Sequence, residues 1–155
     1  MNQGLHIRRL EADEPAFEII ARWRYDAFFA QDGITFEESR DALRAWMEGP
    51  GYETALLAEV DGQPAGSCLF VREEIDPKHD LTPWLAALYV APDFRGRSIA
   101  TALVRAIEQH ARDVGCAQLY LYTITAEPLY AKLGWLAREH FDWHGEKFVL
   151  MAREL

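Results

Sequence analysis

Apolar positions recur along this chain with two periods, and the places where one gives way to the other mark out its elements. Residues 5–10 alternate as an opening strand, and from Pro15 the residues Phe17, Ile20, Ala21, Arg24 and Phe28 fall at three- and four-residue steps, which predicts an amphipathic helix rich in aromatics. Thr35-Phe36-Glu37-Glu38 is a capping box, in which hydroxyl and carboxylate satisfy orphan amides. A second helix should therefore run to about Met47 and stop at Gly49-Pro50-Gly51. Residues 54–60 and 65–71 are β-rich runs joined through Asp61-Gly62, a pair suited to positive φ.

Residues 84–90 form an apolar run between Pro83 and Pro92, which predicts a central strand buried on both faces. From Ser98 the period turns helical, with Ala100, Leu103, Ile107, Ala111 and Val114 on one face and Glu108 and Arg112 as an i,i+4 pair on the outside, until Gly115. Residues 118–123 read as a fifth strand and 125–133 as a short helix capped by Thr125 and closed by Gly134. Residues 136–143 and 147–153 read as two last strands. The order is βααβββαβαββ, an α/β (α+β) fold.

Composition narrows the class. The chain has 155 residues, half of them hydrophobic, with no repeat or linker that would divide it, so residues 1–155 are expected to form one domain. The 25 acidic against 16 basic side chains give a net charge of −9, which repels a phosphate backbone and leans toward cationic partners. An acidic surface serves solubility equally well. Cys68 and Cys116 have no paired spacing and fit reduced thiols. Residues 1–10 carry His6, Arg8 and Arg9 without the apolar run of a signal peptide, and the longest apolar stretch, 84–91, is far short of the roughly 20 residues that cross a bilayer. A soluble, cytoplasmic protein with no nucleic-acid or membrane partner is expected.

Candidate chemistry gathers at residues 90–100, where the buried strand turns into a helix. The first amides of a helix lack intrahelical partners and sit at the positive end of its dipole, so a phosphate placed there collects hydrogen bonds. Gly96 allows close approach, and Arg95 and Arg97 add charge. An exposed loop with two solvated arginines is the competing reading. Arg95-Gly96-Arg97-Ser98-Ile99-Ala100 resembles the coenzyme A signature of the GNAT superfamily of N-acetyltransferases, Arg/Gln-x-x-Gly-x-Gly/Ala, with Ser98 where the pattern has glycine. A second segment similar to the family is Leu129-Tyr130-Ala131-Lys132-Leu133-Gly134-Trp135, and the element order agrees with the family fold over nearly the whole chain.

The resemblance implies a mixed, mostly antiparallel sheet whose fourth and fifth strands splay, and transfer of acetyl from acetyl-CoA to a primary amine of a small molecule or peptide. Transfer would go by direct attack through a tetrahedral intermediate, without metal. Backbone groups of Leu88 and Val90 would bind pantetheine like an added strand, and an amide near Val90 would hold the oxyanion. Arg95, Gly96, Arg97, Ser98, Ile99 and Ala100 would bind the pyrophosphate, and Tyr130 would protonate the departing thiolate. A homodimer is likewise a family expectation. Residues 84–88 hold no acid to act as base for the amine, which leaves Glu73, Glu74 and Asp80, with Asp80 favoured as nearest the strand. His140, Asp142 and His144 share a strand face, readable as a metal site or, better, an acceptor-contacting face. Trp23, Phe28, Phe29, Trp46 and Trp84 could line an acceptor pocket or simply be core. Ser98 and the missing strand glutamate also permit a catalytically weak acetyl-CoA-binding sensor or scaffold.

Overall fold

The computed structural model describes residues 4–49, 51–74, 76–78 and 80–155. Met1 to Gln3 of the amino-terminal segment, Pro50 of the predicted helix stop, and Ile75 and His79 of the acidic loop lie outside the described residues. The strands are β1 (Leu5–Arg9), β2 (Thr54–Val60), β3 (Gln63–Val71), β4 (Trp84–Val90), β5 (Gln118–Thr123), β6 (Leu136–Trp143) and β7 (Glu146–Glu154). The helices are α1 (Pro15–Arg24), α2 (Phe36–Met47), α3 (Ile99–Asp113) and α4 (Glu127–Lys132), and α1 continues into a π-helical turn, Tyr25–Phe29. The predicted order is the observed one.

The strands form a single sheet in the order β1-β2-β3-β4-β5-β7-β6, antiparallel at every contact except β4–β5. Side chains alternate across it and build two cores. Val60, Phe70, Leu85 and Leu119 meet Leu103 and Ile107 of α3, while Leu57, Leu69, Trp84 and Leu150 meet Phe17 and Ile20 of α1 and Leu43 of α2. The α2 capping box forms as predicted: Glu38 N–H donates to Thr35 Oγ1 at 3.1 Å and Thr35 N–H to Glu38 Oε1 at 3.0 Å. At Gly66 on β3 a Cβ would stand 2.8 Å from the Tyr89 carbonyl oxygen and 3.2 Å from Leu103 Cδ1, so only glycine lets β3, β4 and α3 approach this closely. Among the described residues no helix is long and apolar enough to cross a membrane.

Three local expectations are corrected. Only the first half of β4 is buried on both faces: Trp84, Leu85 and Ala86 are enclosed, whereas residues 87–90 are half-buried because β5 has already diverged. Glu108 lies inside rather than outside α3, 1% exposed, where Arg105 Nη1 donates to it at 2.9 Å and Trp135 Nε1 at 3.0 Å. Burying an apolar-face carboxylate is tolerable because those donors satisfy it. Thr125 does not cap α4, whose N-cap is Ala126. Thr123 Oγ1 instead accepts from Ala126 N–H at 3.0 Å, tying the end of β5 to the helix start.

Candidate active site

The parallel pair β4–β5 is joined in register through Trp84 and Tyr120 alone, so beyond them the two strands part. Two further features aim β4 at the gap. Ser67 pairs with Tyr89 and Leu69 with Ala86, so Cys68 faces both Ala87 and Leu88 in a β-bulge. Ala87 adopts φ 52°, a left-handed conformation uncommon for a residue with a Cβ. The bulge interrupts pairing with β3 as well, leaving strand groups around Leu88 directed at the opening.

That opening is a cleft of about 1650 Å³. Its walls include residues 85–88 of β4, residues 121–123 of β5, Tyr130 of α4, and Phe28 and Phe29 of the π-helical turn. It is larger than the roughly 300–1,000 Å³ typical of a pocket for one small ligand.

At its β4 end the chain passes through Arg95 to Ser98 into α3. Gly96 has φ 80° with open space where a Cβ would stand, so glycine is favoured there by backbone conformation and not by crowding. Ser98, the N-cap, has φ 62° and ψ 23°, which takes its hydroxyl out of capping geometry: no side chain caps α3. The glycine of the family pattern thus has a conformational reason at this position. Ile99 is 1% exposed, and only its backbone can serve a ligand. Ala100 is half-buried, while Arg95 and Arg97 are exposed. Arg95 Nε donates to the Val90 carbonyl at 2.9 Å and its guanidinium lies 5.7 Å from the Tyr89 ring centre, and that of Arg97 lies 5.4 Å from the Phe94 ring centre. The loop is folded back on the strand it leaves.

Tyr130 lines the cleft with its ring edge-on to Trp135 at 6.1 Å, and burial pushes its phenol up to about 12. Of the three candidate bases, Asp80 stands exposed in a turn and is not among the lining residues, whereas Glu73 and Glu74 are. Glu74 is half-buried, and desolvation pushes its carboxyl up to about 7 against the downward pull of the Arg24 charge. Beside it, burial and then the Glu74 charge raise Tyr122 to about 12. Arg24, also half-buried, is shifted down by burial. Its Nη1 donates to Ser39 Oγ at 3.1 Å and its guanidinium lies over the Phe29 ring at 4.4 Å.

Phe28, Phe29 and Trp46 line the cleft, while Trp84 is fully enclosed and Trp23 packs on Tyr89 at 5.3 Å. Sequence reasoning missed Tyr122, Trp143 and Phe148, which also line the cleft. Only the two-residue alternation of β5, β6 and β7 could have signalled them. His140 and Asp142 are exposed and outside the lining, and His144, in the β6–β7 turn, reaches it beside Trp143 at 4.3 Å. Among the described residues no group of three or more His, Cys, Asp or Glu is arranged to hold a metal ion.

Residues 17–135 match the family described as acetyltransferase (GNAT) family. The chain is 30% identical over 129 residues to the thialysine N-epsilon-acetyltransferase of Sus scrofa, with 71% of this chain and 72% of that protein covered. A structure of yncA from Salmonella typhimurium with its cofactor acetyl-CoA superposes with TM-score 0.76 at 17% identity, covering 98% of this chain and 94% of that one. An aminoglycoside 6'-N-acetyltransferase complexed with coenzyme A gives TM-score 0.76 at 15% identity, covering 96% of each chain.

Proposed function

The chain belongs to the GNAT family of acetyltransferases, and on that premise we propose that it transfers acetyl from acetyl-CoA to a primary amine by direct attack within the β4–β5 cleft. The observation that carries this reading is the opening of the parallel pair beyond Trp84 and Tyr120 onto a cleft walled by residues 85–88 of β4, the strand that runs on to the uncapped amino terminus of α3. Amides of Ile99 and Ala100, the open loop at Gly96, and Arg95 and Arg97 fit a pyrophosphate. Backbone groups at Leu88 and Val90 fit an extended pantetheine arm, with the oxyanion held by an amide at this end of β4. The single sheet from β1 to β7 supports treating residues 1–155 as one acetyltransferase unit.

Glu74 takes the part first assigned to Asp80. A carboxyl pushed up to about 7 is poised to accept the ammonium proton near neutral pH. The freed amine nitrogen bonds to the acetyl carbonyl carbon. Collapse of the tetrahedral adduct breaks the carbon–sulfur bond, Tyr130, kept protonated by burial, gives its proton to the thiolate, and the second proton lost by the nitrogen as the amide forms restores the phenol. Asp32, Glu53, Glu73 and Glu74 outnumber Arg24 and Arg72 on the cleft wall, which suits an acceptor that arrives as an ammonium ion. Thialysine N-epsilon-acetyltransferase among its relatives supports an amine acceptor.

The test is release of coenzyme A when acetyl-CoA is offered with polyamines, aminoglycosides, amino acids and peptides in turn. Turnover with a primary amine is the expected result. Tight acetyl-CoA binding without turnover on any of them would favour a sensor or scaffold, the reading that the left-handed Ser98 keeps open.

A further inference from the structure

The cleft wall holds a half-buried cation that, among the described residues, no carboxylate contacts directly. Arg72, the other arginine on the wall, is paired: its Nε lies 3.7 Å from Glu53, and its backbone N–H donates to the same carboxylate at 2.8 Å. Arg24 has only neutral hydrogen-bond and ring partners, although the charge of Glu74 reaches it. Nη1 donates to Ser39 Oγ at 3.1 Å and grazes the Ser39 carbonyl at 3.5 Å, the Phe29 ring lies beneath the guanidinium, and among the described residues it forms no ion pair with a carboxylate. Those contacts fix the guanidinium on the wall without using up its fork, the donor geometry that matches a carboxylate two bonds at a time. A desolvated cation so held is a strong site for an anion.

Its position says where that anion would come from. Arg24 and Glu74 both line the cleft and each senses the other's charge, yet they are not joined in an ion pair. An acceptor with its amine at Glu74 therefore meets Arg24 with a group carried near that amine. Aromatic side chains of the π-helical turn, Phe28 and Phe29, flank the same stretch and suit the remaining, less polar part of the molecule.

We propose that Arg24 binds the carboxylate of the acceptor, so that the substrate is an amino acid or a similar amine bearing an acidic group, rather than a polyamine or other purely cationic amine. The assignment rests on the acetyltransferase reading above and narrows it. It gives Arg24 the role of a binding residue that selects the acceptor; Glu74 removes the proton.

Matched pairs test it. Each amino acid is compared with its decarboxylated amine at saturating acetyl-CoA: L-lysine with cadaverine, L-phenylalanine with phenethylamine, L-methionine with 3-(methylthio)propylamine. Losing a charge-assisted hydrogen-bonded pair costs about tenfold or more in kcat/KM. The carboxylate-bearing member is therefore expected to lead by at least about tenfold in one or more pairs, with Arg24→Gln collapsing that lead and Arg24→Lys retaining part of it. A lead below about tenfold in every pair overturns the proposal, as does a lead that Arg24→Gln leaves intact. If Arg24→Gln does not fold, the same comparison on the unaltered protein, extended to the methyl ester of the best amino acid, decides alone: an ester used as well as the acid overturns it. Acetyl-CoA binding with no amine acetylated is a separate outcome that removes the acetyltransferase reading itself, and the assignment of Arg24 with it.

Discussion

Trp84 and Tyr120 are the register pair on which the two halves of the sheet hinge, their rings 5.8 Å apart and tilted by 46°. Trp84 is fully enclosed and its Nε1 donates to the Leu81 carbonyl at 2.7 Å, while Tyr120 N–H donates to the Pro83 carbonyl at 3.0 Å. The strands can part beyond this point because so much is fastened at it. Trp84→Ala should cost about 3–5 kcal/mol, the range for emptying a buried aromatic site. Urea unfolding measures it, and a midpoint equal to that of the unaltered protein would show that the divergence is anchored elsewhere.

As the proposed base, Glu74 is expected to set the pH dependence. Desolvation pushes its carboxyl up to about 7 from an ordinary value of 4.5, so the fold favours the protonated form. The sign for stability follows: the contribution is fully present below pH 4.5 and is lost as pH rises through 7. Catalysis runs the other way, since a base must be ionised. The acceptor kcat/KM should fall on acidification with a midpoint near 7, and Glu74→Gln should remove that limb and lower the rate by about 10²–10⁴-fold. Asp80→Asn should leave the profile unchanged, because Asp80 stands outside the cleft. A profile that follows Asp80 would reverse the assignment.

Element order was legible because period and punctuation agree. The capping box at Thr35 and Glu38 and the proline-flanked run at 84–90 each prescribe one local structure, and neither needs information from afar. Long-range partners were not. Glu108 looked like an outer-face acid because its distant partners, Trp135 and Arg153, are invisible to helical periodicity. Asp80 is nearest to β4 in sequence, but chain proximity says nothing about which loop acid turns inward, and Glu74 does. The candidate coenzyme loop was picked out by its glycine and arginines, yet the left-handed conformation of Ser98 needed coordinates.

Ser98 is where the chain departs from the pattern it otherwise follows. A non-glycine residue at φ 62° costs about 1 kcal/mol, partly offset by the extra freedom that glycine gains when unfolded. Ser98→Gly should therefore be neutral or stabilising by up to about 1 kcal/mol. Because the Ser98 side chain makes no cap hydrogen bond, the same change should tighten acetyl-CoA binding by relieving the loop, as calorimetric titration would report. Weaker binding would make the hydroxyl a ligand.

Tyr130 should divide binding from chemistry. The phenol is held protonated by burial, and Phe preserves its edge-on packing against Trp135. Tyr130→Phe is expected to lower kcat by about 10²-fold, the lower end for a general acid, with acetyl-CoA affinity changed by less than the rate. Equal losses in both would assign Tyr130 to packing.

Lys78 fastens the loop that carries Glu74. Its Nζ lies 2.7 Å from Glu139 Oε1 and 4.9 Å from the centre of the Phe141 ring, so a segment that leaves β3 is pinned to β6 in the other half of the sheet. A partly exposed pair of this kind contributes up to about 1 kcal/mol, roughly fivefold in an equilibrium. Lys78→Met should accordingly reduce the acceptor kcat/KM by no more than about fivefold while sparing acetyl-CoA affinity, because what loosens is the placement of Glu74 and not the coenzyme loop. Exchanging the charges, Lys78→Glu with Glu139→Lys, should recover part of the loss if the ion pair is the fastening. A double variant no better than Lys78→Met would place the hold in the contact with Phe141 instead.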